Sequence, residues 1–495
     1  MGSEAYRPQY HFSAQRHWLN DPNGLVYFEG EYHLFYQYNP FGNRWGHMSW
    51  GHAVSKDLVH WHELPVAIPE DSDTMIFSGS VVVDADNTSG FGSEGRTPLV
   101  AIYTGFQRNG AHLQNQQLAY SVDRGRTWTK YAGNPVLDLG LTEFRDPKVF
   151  WYAVTHQWIM VAVLSDEKKT TFFASPDLKQ WRHVGDFGPA GAVDGAWECP
   201  DLMELPVQGA QGGSRWLLKV DVFKSQVAGA GAQYFVGDFA GHAFTALPGD
   251  TGRVVDWGRD FYAAASWADL PASDGRHIWI GWMSNHGYAQ DIPTAPWRGA
   301  MSVPRSLALR ERDGSFELLQ SPVAELMSLR QNHRRLTDVR LDGVRSSAAG
   351  YDGATSTSVV PRLRASAEIL ATLRPGDSSE MGLLLRVGGH QRTVVGYDVA
   401  QRRVFIDRTH SGATGFSDQF PGRHSAPFEL DHGELKLHIL LDRSSIEVFA
   451  GDGELVMTEQ IFPAPTSVGL RAYARGGTAS LAALDAWDLK SARER

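Results

Sequence analysis

Three acids stand in unusual frames. Asp21 lies in Trp18-Leu19-Asn20-Asp21-Pro22-Asn23-Gly24, Asp146 in Glu143-Phe144-Arg145-Asp146-Pro147, and Glu198 in Trp197-Glu198-Cys199-Pro200-Asp201. Each acid is at or near a proline, beside the start of a predicted strand. Pro22 fixes its own φ and restricts Asp21 to an extended backbone, and Asn23-Gly24 signals a tight turn. Alone, such a frame serves a hairpin corner as well as it serves chemistry. Three acids converging in one pocket would repel one another unless their proton affinities separate, and that separation is what acid–base work needs. Arg145 would help hold Asp146 ionised. Glu198, near an ionised Asp and partly walled by Trp197, would donate a proton near neutral pH. Paired carboxylates flanking a bond are the usual equipment of glycoside hydrolysis. Trp18, Gln37, Trp45, Trp50, Tyr262, Trp282 and Trp297 lie in turn-like contexts and offer stacking faces and hydrogen bonds to a sugar, although large aromatics more often fill a core.

Convergence of distant acids requires a closed arrangement of the elements that carry them. Helical periodicity is scarce, and short alternating runs broken by Gly, Pro, Asn and Asp dominate. Ser55-Lys-Asp-Leu-Val-His-Trp61 returns as Ser175-Pro-Asp-Leu-Lys-Gln-Trp181, with a looser copy at Ser121-Val-Asp-Arg-Gly-Arg-Thr-Trp128. Copies roughly 50–65 residues apart, each after a β run, predict four-stranded propeller blades. Near Pro322 the texture changes. Residues 1–322 read as the propeller, 323–342 as a linker with a helical start, and 343–495 as a β-sandwich of short alternating strands. The fold class is therefore all-β.

The 495 residues are enough for a sizeable core, and 16 Trp, 16 Tyr and 51 Gly suit β structure with many turns. A net charge of −10 argues against nucleic acid or an anionic membrane as partner and favours a neutral polar substrate. Cys199 is the single cysteine, so no internal disulfide forms. No apolar run is long enough to span a membrane. The start, Met-Gly-Ser-Glu, has no signal-peptide pattern. The expectation is a secreted protein whose leader is absent from this sequence. No cofactor and no metal are expected. The calcium-like Asp84-Ala-Asp86-Asn87-Thr88 lacks the glycine and glutamate such a loop needs and reads as a surface turn.

Taken together and in order, the motifs resemble glycoside hydrolase family 32, the β-fructofuranosidase, inulinase and levanase group. Asn20-Asp21-Pro22-Asn23-Gly24 resembles its nucleophile motif, Arg145-Asp146-Pro147 its transition-state motif and Glu198-Cys199-Pro200 its acid/base motif. Phe35-Tyr-Gln37, Trp45-Gly46, Phe77-Ser78-Gly79-Ser80, Asp260-Phe-Tyr262, Gly281-Trp282, Pro304-Arg305 and Asp442-Arg-Ser-Ser-Ile-Glu447 continue the pattern. The resemblance implies a five-bladed β-propeller followed by a β-sandwich. It implies Asp21 as nucleophile, Glu198 as acid/base and Asp146 as stabiliser. Asn20, Gln37, Trp45, Phe77, Ser78, Arg145, Cys199, Tyr262, Trp282 and Trp297 would bind substrate. Retention would set the Asp21 and Glu198 carboxyls about 5–5.5 Å apart. A fructan, levan or inulin in type, is the implied substrate. The acceptor stays open between water, as in a levanase or exo-inulinase, and the substrate's own hydroxyl, as in a levan fructotransferase. A sucrose-cleaving invertase and a non-catalytic fructan-binding protein are the rival readings.

Overall fold

The repeated Ser-x-Asp segment closes the same turn three times. In the computed structural model, Asp57 Oδ1 accepts from the N–H groups of Val59 and His60 at 3.0 and 2.8 Å. Asp177 does the same for Lys179 and Gln180, both at 2.9 Å. The indoles of Trp61 and Trp181 donate to the carbonyls of Leu58 and Leu178, both of which are left-handed. The looser copy has one more residue, and Gly125 takes the left-handed place beneath Trp128. Each turn joins the third and fourth strands of a blade.

The structure describes residues 4–209, 212–225, 231–343, 356–360 and 363–493. Five four-stranded antiparallel blades follow one another, and their first strands are His17–Phe28, Thr74–Val83, Phe144–Tyr152, Ala196–Gln208 and Tyr262–Ser266. These five strands pack side by side in a closed ring, the first against the last. Tyr27 and Ala268 complete the closure through main-chain bonds of 3.0 and 2.9 Å, from Tyr27 to Ala268 and from Ala268 to Leu25. All five strands carry a break in register: between Leu19 and Pro22, Ile76 and Gly79, Arg145 and Lys148, Glu198 and Asp201, and Tyr262 and Ala265. A bulge turns side chains out of the regular pleat and frees main-chain groups from the ladder. That accounts for Pro22, Pro147 and Pro200, since proline, lacking an N–H, is tolerated in a sheet at bulges and edges.

Two six-stranded sheets form the sandwich. One runs Arg330–Asp342, Thr478–Leu489, Ala367–Arg374, Leu435–Leu441, Ser445–Ala450, Leu455–Gln460. The other contains Ser356–Val360, Gly469–Arg475, Glu380–Gly388, Gln391–Asp398, Arg403–Asp407 and Arg423–Pro427. The expected linker 323–342 needs correction. Only Ala324–Leu329 is helical, as a short 3-10 turn, and Arg330–Asp342 is an edge strand paired with Thr478–Leu489. Its many charges disguise it, and charge is how edge strands avoid pairing with other chains. Asp84 is buried within its turn and takes bonds from the N–H and hydroxyl groups of Thr88 and Ser89. Among the described residues, no helix is long and apolar enough to cross a membrane.

Buried charge joins the two parts alongside apolar packing, in which Leu440, Phe449 and Val456 of the sandwich share a core with Val303 and Val323. His11 lies between Asp442 and Glu447 of the sandwich, 2.9 Å from each. Arg305 of blade five is fully buried between Asp256, at 3.0 Å, and Glu447. Arg408 of the sandwich pairs with Asp260 and Glu459. The backbones meet closely at Gly258, where a Cβ would lie 2.1 Å from the Thr458 carbonyl oxygen.

Burial alone would push the His11 imidazole down. Its two carboxylates outweigh burial and raise it from 6.5 to about 9. His11 therefore holds its proton more tightly folded than unfolded. Its contribution is complete below pH 6.5 and is lost as pH rises through 9. Stability should fall by up to about 3 kcal/mol over that window. Urea midpoints at pH 6.5 and 9.5 check this; a His11→Gln variant showing the same slope would assign the loss to another group.

Candidate active site

The bulges of blades one to four turn Asn20 and Asp21, Phe77 and Ser78, Arg145 and Asp146, and Glu198 towards one another. They meet in a cavity of about 640 Å³ whose walls include Asp21, Gln37, Trp45, Phe77, Ser78, Arg145, Asp146 and Glu198. Asp21 arrives from blade one, Asp146 from blade three and Glu198 from blade four.

Asp21 is held from two sides. Asn20 Nδ2 donates to Oδ1 at 3.0 Å, and Ser78 Oγ donates to Oδ2 at 2.7 Å. Asn20 is itself fixed by the Trp18 indole N–H at 2.7 Å. The fully buried Trp50 donates to the Phe77 carbonyl at 2.9 Å and so sets the segment that bears Ser78. Oriented, partly satisfied carboxylate oxygens suit a nucleophile.

Asp146 is left-handed, φ 60°, and so is Cys199, φ 48°. Non-glycine residues adopt this conformation at a cost, here at two bulges that place acids. The Cys199 N–H donates to Asp146 Oδ2 at 2.9 Å, tying blade four to blade three. Below them Lys219, fully buried, donates to the carbonyls of Cys199 at 3.0 Å and Ala264 at 2.9 Å and pairs with Asp221. It holds the bulges of blades four and five together.

Glu198 receives the Arg145 guanidinium on Oε1 at 3.0 Å and the Tyr262 hydroxyl on Oε2 at 2.7 Å. The expected partnership of Arg145 with Asp146 holds as an attraction at a distance, while its hydrogen bonds go elsewhere. Arg145 bonds Glu198 and Glu143, and its Nε is 3.9 Å from Asp146. Burial pushes Asp146 up to about 7 against the pull of Arg145, with Glu198 and Asp21 adding repulsion. Trp197 does not wall Glu198. Its indole is buried among Val222, Phe235 and Phe187 between blades.

Other expected site residues also move. Trp282 is fully buried, packed at a tilt against Trp18, and Trp297 is buried beneath the Arg7 guanidinium. Neither offers a face to a sugar. Cys199 sits behind the wall with Sγ 3.6 Å from Asp21 Oδ2, and burial raises its thiol well above its usual range. Tyr262 is buried too, and acts through its hydroxyl on Glu198. Removing that hydroxyl in Tyr262→Phe should lower kcat about 10- to 100-fold, the scale of a hydrogen bond to a charged group, with the melting temperature little changed. Unaltered kcat would show that Glu198 needs no such holder.

The cavity also has walls that sequence reasoning missed: Phe106, Gln114, Glu143, Phe223, Lys224, His286 and Gln290. Glu143 had a signal, for it stands two residues before Arg145, just ahead of the strand, and the two pair. Gln114 bonds Arg145 at 3.2 Å from another blade, and nothing local announces it.

Comparison with known proteins matches both parts of the chain to one family. The profile described as Glycosyl hydrolases family 32 N-terminal domain matches residues 11–322, and that described as Glycosyl hydrolases family 32 C terminal matches 325–488. A levanase of Bacillus subtilis is 46% identical over 492 residues, covering 98% of this chain and 71% of that protein. An extracellular exo-inulinase of Aspergillus ficuum is 40% identical, covering 99% of this chain and 95% of that one. The crystal structure of an exo-inulinase from Aspergillus awamori superposes with a TM-score of 0.90 at 39% identity, covering 99% of each chain.

Proposed function

The chain belongs to glycosyl hydrolase family 32, and on that premise we propose that it removes terminal fructose from fructans by a retaining mechanism. The reading is carried by one observation: Asp21, Asp146 and Glu198, from three blades, face a single cavity. Walls drawn from all five blades around the ring axis suit the end of a sugar chain.

In the first step the Asp21 carboxylate bonds to the anomeric carbon while Glu198 gives its proton to the departing glycosidic oxygen. The proton and the bond pair leave with the shortened chain. Asp146 accepts bonds from fructose hydroxyls, which strengthen as positive charge builds on the ring. In the second step Glu198 takes a proton from water, and the hydroxide released to the anomeric carbon frees Asp21. Water is the acceptor that the names of the relatives favour, and the extracellular relative favours secretion. Capture by a second fructose hydroxyl would give a difructose anhydride instead.

Incubation with levan, inulin and sucrose, followed by mass and NMR analysis of the first product, tests the reading. Free fructose released first as the β anomer is expected. The α anomer would overturn retention, a dehydrated disaccharide would make the enzyme a fructotransferase, and no turnover would leave a binding protein.

A further inference from the structure

One wall of the cavity still has no role. His286 follows the second strand of blade five and is exposed at the mouth. Its turn is clamped by Asn285, which donates to the Arg259 carbonyl and accepts from the Gly287 N–H, both at 2.8 Å. Its ring stands edge-to-face on three others. The centroids are 4.7 Å from Tyr262, 4.7 Å from Phe223 and 5.1 Å from Trp282, with interplanar angles of 89°, 75° and 63°. Neither ring nitrogen has a hydrogen-bond partner among the described residues. The result is an oriented donor and acceptor with nothing to bind.

Its neighbours say which part of a substrate would reach it. Tyr262, under the imidazole, is the residue whose hydroxyl holds Glu198. The oxygen that leaves must lie against Glu198 to take its proton. Whatever that oxygen carries then lies on the Glu198 side of the cavity, where His286 stands over Tyr262.

We propose that His286 recognises the sugar unit across the bond being cut, with one ring nitrogen accepting from a hydroxyl and the other donating to one. The same contact receives a sugar acceptor in the second step, so His286 also sets the share of transfer over hydrolysis. The proposal rests on the fructan reading above.

The test compares a β-linked fructose disaccharide with β-fructofuranosyl fluoride, whose leaving group carries no sugar. His286→Phe keeps a ring against Tyr262 and Phe223 and deletes both nitrogens. Its kcat/KM should fall about tenfold or more further on the disaccharide than on the fluoride, and His286→Gln should recover part of the loss. At high sugar concentration the ratio of transfer to hydrolysis should drop in His286→Phe. Equal losses on both substrates, or none, in soluble variants that melt like the parent would overturn the proposal. If His286→Phe fails to fold, the same comparison on His286→Ala decides, with parity between the substrates overturning it. Failure of the parent enzyme to turn over either substrate would instead refute the fructan reading itself.

Discussion

Asp21→Asn is expected to lower kcat on a fructan by about 10,000-fold or more, because a neutral amide oxygen is a far weaker nucleophile than a carboxylate and brings no negative charge to the forming bond. The substitution is nearly isosteric. Its carbonyl oxygen can still accept from Asn20, and its amide can face the Ser78 hydroxyl, so the pocket keeps its shape. The folded state should gain. Asp21 is one of the charges that push Asp146 up, and removing it relieves repulsion on that buried acid. A melting temperature equal to or above the parent's, together with the loss of turnover, is the expected pair of results. Activity within tenfold of the parent would dismiss Asp21 as nucleophile.

Glu198→Gln should cost about 1,000-fold on a fructan, where the leaving oxygen needs a proton, and far less on β-fructofuranosyl fluoride, where it does not. Azide, which needs no general base, should restore breakdown of the fructosyl-enzyme formed from the fluoride, and the product should be a fructosyl azide. The glutamine still offers an oxygen to Tyr262 or Arg145, so the loss would not come from collapse of the site. Equal losses on the two substrates, with no azide effect, would take the proton transfer away from Glu198.

The parts of the site that were legible in the sequence are those whose backbone demands left a mark. Bulged inner strands tolerate proline where regular strands do not, so Pro22, Pro147 and Pro200 flagged the three acids. The Ser-x-Asp turns flagged three of the blades because the same carboxylate satisfies the same main-chain donors each time. What escaped depends on contacts between distant segments. Trp282 and Trp297 share a composition with pocket tryptophans, and only packing decides that they are core. Arg145 stands next to Asp146 in the chain, yet its guanidinium reaches across to Glu198, 53 residues away. His286 sits in a turn with no periodicity to mark it. Arg330–Asp342 looked like a linker because its alternation is drowned by charge.

Ring closure has a further consequence, for the order of events during folding. Leu25 and Tyr27 must find Ala268 before the last gap shuts, and the loop between them spans almost the whole propeller. Such non-local pairing is slow relative to the formation of individual hairpins. The acids come from separate blades, so no single blade holds even two of them. Intermediates with one or two blades in place would have nearly complete sheets locally and no catalytic power. Turnover thus needs blades one, three and four packed together, with Tyr262 of the last blade holding Glu198.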